Sequence, residues 1–209
     1  MKWREAGSAC LLAAMLGIPA HAADMSGHYV AHVMEVGTEL LLRPDGTFEF
    51  AFAYGAADYY AKGTWRSEGG AVFLTTEGKD EPPFRLARSE TTKTPGIRVW
   101  ILGPHAEPVP DIDVMIETPA GKAVARTNDK GAAEFTGKTG ASSVLIHVDV
   151  YQLEAGPFPV DSARNDFYFE INGDAIQRVP FKDERLDIDG TTLVLRHFGA
   201  DHPMRYEKQ

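Results

Sequence analysis

Between Glu35 and Thr76 the chain reads EVGTELLLRPDGTFEFAFAYGAADYYAKGTWRSEGGAVFLTT, and large apolar residues recur there at every second position. Leu40 and Leu42 alternate with Glu39, Leu41 and Arg43; Phe48, Phe50, Phe52 and Tyr54 alternate with Glu49, Ala51 and Ala53. A helix would scatter those rings around its axis, whereas a strand lines them along one face. Arg43-Pro44-Asp45-Gly46 separates the two runs: proline presets φ and glycine tolerates a positive φ, so a tight hairpin is favoured. Tyr54-Gly55-Ala56-Ala57-Asp58 reads as a longer connection. Tyr59, Ala61, Gly63 and Trp65 then share a face opposite Tyr60, Lys62, Thr64 and Arg66. Ser67-Glu68-Gly69-Gly70 turns the chain again, and Val72 and Leu74 point back inward. The reading is an antiparallel meander whose aromatic face needs a cover.

The start of the chain is of a different kind. Met1-Lys2-Trp3-Arg4 is basic, Ser8 to Ile18 is mostly apolar, and Pro19-Ala20-His21-Ala22 puts small residues where a signal peptidase reads them. This predicts a secretory signal peptide over residues 1–22, cut before Ala23. Its apolar stretch falls short of the ~20 residues that span a bilayer. Cys10, the chain's one cysteine, lies inside that stretch. The mature protein then has no thiol and so no disulfide, zinc-thiolate site or cysteine nucleophile. The full chain carries 21 Lys and Arg against 30 Asp and Glu, a net charge of −9, and loss of Lys2, Arg4 and Glu5 makes it slightly more acidic. With no basic stripe, this argues against nucleic acid and anionic membrane surfaces as partners.

Beyond the meander, Glu77 to Pro83 is a polar loop, Phe84, Leu86 and Arg88 suggest another strand, and Ser89 to Gly96 reads as a linker. Ile97 to Leu102 is a strand, followed by Pro108-Val109-Pro110 and by Ile112, Val114 and Ile116 in alternation. Gly121 lies in a hairpin, and Thr127-Asn128-Asp129-Lys130-Gly131 turns the chain into Ala132-Ala133-Glu134-Phe135. On these residues the segment from Ile97 to about Tyr151 resembles the transthyretin-like β-sandwich modules of carboxypeptidase regulatory domains and Cna-B-type surface domains. The resemblance implies a module that supports or positions a neighbour and carries no chemistry of its own.

Val144 to Leu153 reads as one long strand broken by Gly156-Pro157-Phe158-Pro159. Phe167, Phe169 and Ile171 form another, Leu186 and Ile188 lead through Asp189-Gly190 into Leu193 and Leu195, and Met204 and Tyr206 make a closing strand. The expected fold class is all-β: a small antiparallel meander barrel or flattened sandwich, with an inserted or following transthyretin-like module. In the preferred arrangement residues 27–89 and 166–208 build the barrel around the insert at 97–153, because closure removes exposed sheet edges. A tandem arrangement with a break near Pro95 is the alternative. Gly27-His28-Tyr29 and Gly63-Thr64-Trp65 also give the flanking strands a lipocalin-like look, although lipocalin-type barrels carry their Gly-x-Trp at the first strand.

Residues with chemical potential are few. His28, His32 and Met34 share a strand face, but i and i+4 on a strand are ~13 Å apart at ~3.3 Å per residue, too far for one metal. His197 and His202 with Asp201 and Met204 form a second group in a loop. His147 and Asp149 share a face without a Gly-x-Ser-x-Gly elbow to supply a nucleophile. Asp111 with Asp113, and Asp187 with Asp189, resemble glycosidase carboxylate pairs but sit at turns, where aspartate serves local backbone bonding. The prediction is therefore a non-enzyme with no catalytic residue, no metal site and no cofactor.

The aromatic face remains. Packing favours it as barrel core, since about eight strands leave an interior that side chains fill. Near the Gly55 loop its exposed end offers Tyr54, Asp58, Tyr59 and Tyr60, with Trp65 further along, as candidate ligand-binding residues. The expected function is an exported periplasmic binding or interaction protein for a small apolar or aromatic ligand. The alternatives are an envelope accessory protein whose sandwich holds a partner or, more remotely, a metal-handling periplasmic protein. No membrane span is expected after signal cleavage.

Overall fold

The computed structural model describes residues 25–198 and 203–209. The expected signal peptide, residues 1–22, lies outside the described residues.

The alternating runs become strands. β1 (Gly27–Val33), β2 (Val36–Leu42), β3 (Thr47–Tyr54), β4 (Ala57–Glu68) and β5 (Ala71–Thr76) pair antiparallel, each with the next. At the β2–β3 turn Gly46 adopts φ +82° and its N–H donates to the Arg43 carbonyl at 3.1 Å. The Asp45 carboxylate accepts from the Thr47 hydroxyl at 2.6 Å and from its N–H at 2.9 Å. Those bonds, the hydroxyl's first, hold the Asp45 carboxyl below its ordinary range.

The middle of the chain builds two four-stranded sheets from β6 (Phe84–Glu90), β7 (Ile97–Leu102), β8 (Asp113–Thr118), β9 (Gly121–Arg126), β10 (Ala132–Phe135), β11 (Ser143–Val148), β12 (Leu153–Pro159) and β13 (Asp166–Ile171). One sheet runs β10-β7-β13-β6, with β7 and β13 parallel; the other runs β12-β11-β8-β9. Ile97, Val99, Ile101, Phe167 and Phe169 of the first pack with Val114, Ile116, Val144 and Ile146 of the second in one core.

Sequence reading places β6 and β13 with the barrel; the structure pairs them with each other and β13 with β7, inside the sandwich. Period-two alternation says which face of a strand is buried but not which sheet the strand joins. Phe84, Phe167 and Phe169 bury their rings in the sandwich core, which settles the matter. The strand expected from Val144 to Leu153 is likewise two strands, β11 and β12, folded back at a 3₁₀ turn (Asp149–Tyr151). Gln152, at φ +48°, reverses the chain there, and both its N–H and its side-chain amide donate to the Asp149 carbonyl. The Gly156–Pro159 stretch expected as a breaker lies within β12.

A short helix α1 (Gly173–Gln177), capped by Asn172, leads back to β14 (Glu184–Asp189), β15 (Thr192–Leu195) and β16 (Met204–Lys208). β14 and β15 pair across Asp189↔Thr192, the tight hairpin expected at Asp189-Gly190. β14 adds to β5 and β16 adds to β1, closing an eight-stranded antiparallel barrel in the order β1-β16-β15-β14-β5-β4-β3-β2. Tyr29, Leu40, Leu42, Phe48, Val72, Leu74, Leu186, Leu193 and Tyr206 are fully buried and pack into one core across it. Each such side chain contributes about 1.5–3 kcal/mol relative to exposure. Phe181, from the segment before β14, plugs one end against Phe50 at 5.1 Å and Phe48 at 6.2 Å between ring centres.

Candidate functional site: an aromatic cleft at the barrel mouth

The rings of β3 share one face but not one environment. Phe48 lies opposite Gly63 and Phe50 opposite Ala61, so a small neighbour makes room for each ring inside the barrel, and they are only 1% and 3% exposed. Phe52 lies opposite Tyr59, two large rings where the interior has space for neither, and both remain half-buried at the mouth. Tyr54, one step further, is 56% exposed.

Two other parts of the chain complete this mouth. The 3₁₀ turn between β11 and β12 presents Val150, Tyr151 and Gln152; Tyr151 meets Tyr59 edge to face at 5.5 Å and 89°. Phe198, just after β15, stacks on Phe52 at 4.6 Å and 13° and lies beyond Phe50 at 6.2 Å and 14°. His197 fits edge-on between Phe181 and Phe198, at 5.0 Å from each, and its Nδ1 lies 3.0 Å from Glu184. The result is an open cleft of about 630 Å³ lined by Phe52, Tyr54, Tyr59, Val150, Tyr151 and Phe198, with Gln152 and the Gly55–Ala57 turn at its margin. None of these side chains carries a charge. Burial, with the neighbouring Tyr151 adding to it, pushes the Tyr59 hydroxyl above the ordinary tyrosine range.

Of the residues singled out in the sequence, Tyr54 and Tyr59 meet in this cleft. Asp58 is exposed and pairs with Ala53, on the strand face pointing away from it. Tyr60 faces outward too and serves as a joint. Its hydroxyl donates to Asp174 at 2.7 Å and its carbonyl accepts from the Val179 N–H at 2.8 Å, tying β4 to the segment that returns from the sandwich. The bond to Asp174 is the first cause raising the Tyr60 pKa. Trp65 sits at the opposite end of the barrel, where its Nε1 donates to the Arg43 carbonyl at 2.8 Å beside the β2–β3 turn. Val150, Tyr151, Gln152 and Phe198 are the members that sequence reasoning missed. No local pattern marks them, because each reaches the site only through tertiary packing.

A second cleft, of about 560 Å³, lies where the chain passes between barrel and sandwich, among Glu77, Asp80, Arg178, Lys182 and Asp183. Four of its charges are already engaged: Lys182 pairs with Asp80 at 2.5 Å, Asp183 with Arg66, and Arg178 with the Lys79 carbonyl. These contacts knit the two connecting segments together and leave the aromatic cleft as the better candidate.

Several of the other chemical candidates are likewise occupied by structural partners. Asp187 is held by Arg185 and Arg196, Asp189 by Arg205 and Asp113 by Arg126. Asp111 stands at a positive φ of 62° in the loop before β8. His28 pairs with Glu39 at 3.0 Å, and His147 lies 3.8 Å from Asp149 on an exposed surface. Asp201 and His202 lie outside the described residues. Among the described residues no three His, Cys, Asp or Glu side chains come together as metal ligands, and no helix is long and apolar enough to cross a membrane. Comparison of the chain with protein-family models, curated proteins and solved structures yields no match.

Proposed function

We propose that this is an exported, non-catalytic binding protein that takes a small apolar or aromatic ligand at the mouth of its barrel. The observation that carries this reading is the convergence of Phe52, Tyr54, Tyr59, Tyr151 and Phe198, from three distant parts of the chain, around an open cleft whose described lining carries no charge. Such clefts, apolar with a few polar groups, are what small-molecule sites are made of. A barrel whose centre is packed with side chains has only its rim left for a ligand. The periplasmic address rests on the Lys2–Arg4 charge, the apolar stretch and Ala20-His21-Ala22. We read the two facing four-stranded sheets as a transthyretin-like module, with the role of holding Tyr151 against the barrel; the Ile97–Leu102 strand and the Asn128–Gly131 turn support this.

The reading is tested by thermal shift of the mature protein against panels of apolar and aromatic compounds, sugars and divalent metals. Apolar or aromatic compounds should raise the midpoint by several degrees at saturating concentration. The double variant Tyr151→Ala, Phe198→Ala should lose that rise while keeping its strand circular dichroism. A response to sugars or metals alone, or an unchanged response in the double variant, would refute the site. Val124, 64% exposed on the edge strand β9, favours a second reading in which the sandwich holds an envelope partner. A partner retained by the wild type and lost with Val124→Lys would support that reading instead.

A further inference from the structure

Resting on that reading, we propose that the ligand is an uncharged, planar aromatic molecule with one oxygen acceptor, stacked on Phe198 and hydrogen-bonded by Tyr59. Three independent features of the cleft lead there.

The first is charge. Among the described residues, the lining holds no carboxylate, ammonium, guanidinium or imidazole to compensate an ion, and an unpaired charge is costly to bring into an apolar site. An aromatic cage for a cation would need ring faces turned toward a common centre. Here the rings are spent on one another: Tyr151 edge-on to Tyr59, Tyr59 tilted on Phe52 at 5.8 Å, and Phe52 stacked on Phe198. They form a continuous wall rather than a box.

The second feature is ring direction. Phe198 lies within 13° of the plane of Phe52 and within 14° of that of Phe50, yet is 41% exposed. A further flat ring on its open surface extends an existing offset stack, an arrangement aromatic pairs favour and a puckered saturated ring cannot adopt.

The third is the hydroxyl inventory. Tyr60 donates to Asp174, Tyr151 accepts from Gln177 at 3.0 Å, Tyr168 donates to Glu90 and Tyr206 pairs with Thr38. Two tyrosines lining the cleft have hydroxyls without a hydrogen-bond partner among the described residues, Tyr54 and Tyr59; Tyr54 is 56% exposed to water, whereas Tyr59 is half-buried against the other rings. A tyrosine hydroxyl is protonated at neutral pH, so this one can donate to an acceptor on a ligand.

Isothermal titration calorimetry of the mature protein at pH 7 against four probes of one skeleton tests this: 2-naphthol, naphthalene, 2-naphthoate and decahydro-2-naphthol. The expected result is tightest binding of 2-naphthol, with decahydro-2-naphthol and 2-naphthoate each weaker by about tenfold or more. Tyr59→Phe should weaken 2-naphthol by about tenfold and leave naphthalene unchanged. Equal binding of the saturated or the anionic analogue, or indifference of 2-naphthol to Tyr59→Phe, would overturn the ligand class and leave the binding function standing. If none of the four binds, the ligand class also falls, and the broader thermal-shift panel decides the function separately.

Discussion

The Tyr206 hydroxyl is buried inside the barrel, 2.6 Å from the Thr38 hydroxyl; Thr38 also reaches the Ala51 carbonyl at 2.9 Å, and Tyr206 the Met204 sulfur at 3.6 Å. Burial pushes its pKa up to about 12, against a weaker lowering by Thr38. The folded state therefore keeps this proton after the unfolded chain has lost it near pH 10. The stabilisation is complete below pH 10 and disappears as the pH rises toward 12. Urea unfolding across that interval should show stability falling by about 2–3 kcal/mol, and Tyr206→Phe should flatten the fall. A second buried polar contact is bidentate: Arg98 Nε and Nη2 each lie 2.6 Å from an Asp166 oxygen, with side chains 17% and 3% exposed. Asp166→Ala removes the carboxylate and leaves the part-buried guanidinium with the Thr92 hydroxyl at 2.7 Å, and should cost about 3 kcal/mol by the same assay. Trp100 presents the opposite case, since its Nε1 is buried without a partner among the described residues while its ring stacks on Tyr168 at 5.7 Å. Replacing it by phenylalanine removes an unsatisfied donor and keeps an aromatic face, so Trp100→Phe should change stability by less than about 1 kcal/mol.

At the scale of elements, β4 does most to connect sequence with site. Its small residues Gly63 and Ala61 accommodate Phe48 and Phe50, its Tyr59 enters the cleft, and its outward Tyr60 ties the barrel to the returning chain. A Cβ on Gly63 would stand 2.0 Å from the Thr75 carbonyl of β5. Gly63→Ala should therefore lower the urea midpoint by the equivalent of about 2–3 kcal/mol, an overpacking cost against rigid backbone. Alternation and turn chemistry made β1 to β5 readable in advance, because both are local: Pro44 and Gly46 act within four residues, and Phe48 to Tyr54 within one strand. The reversal at Asp149–Gln152 was not readable. It contains no glycine or proline, and only a non-glycine residue in the left-handed region, Gln152, turns the chain. Misreading it as continuous strand hid a sandwich turn that reaches the barrel.

Across the whole molecule, closure of the barrel by the chain's end followed from the need to remove sheet edges, and β16 does pair with β1. The membership of β6 and β13 did not follow, since Phe84 and Phe169 would satisfy either core and the choice is made by long-range pairing. The cleft was half visible for the same reason: Tyr54 and Tyr59 belong to the meander, whereas Tyr151 and Phe198 arrive from elsewhere. Five of the six most exposed large apolar side chains among the described residues, Val33, Met34, Tyr54, Val150 and Phe198, lie at this end of the barrel. That bias supports the mouth as the surface built for contact. The most direct measurement is NMR mapping of aromatic side-chain signals during titration with 2-naphthol. The account predicts that Phe52, Tyr59, Tyr151 and Phe198 shift together while Phe48 and Trp65 stay in place. Shifts centred on Trp65 or on the sandwich, with the four mouth rings unmoved, would contradict it.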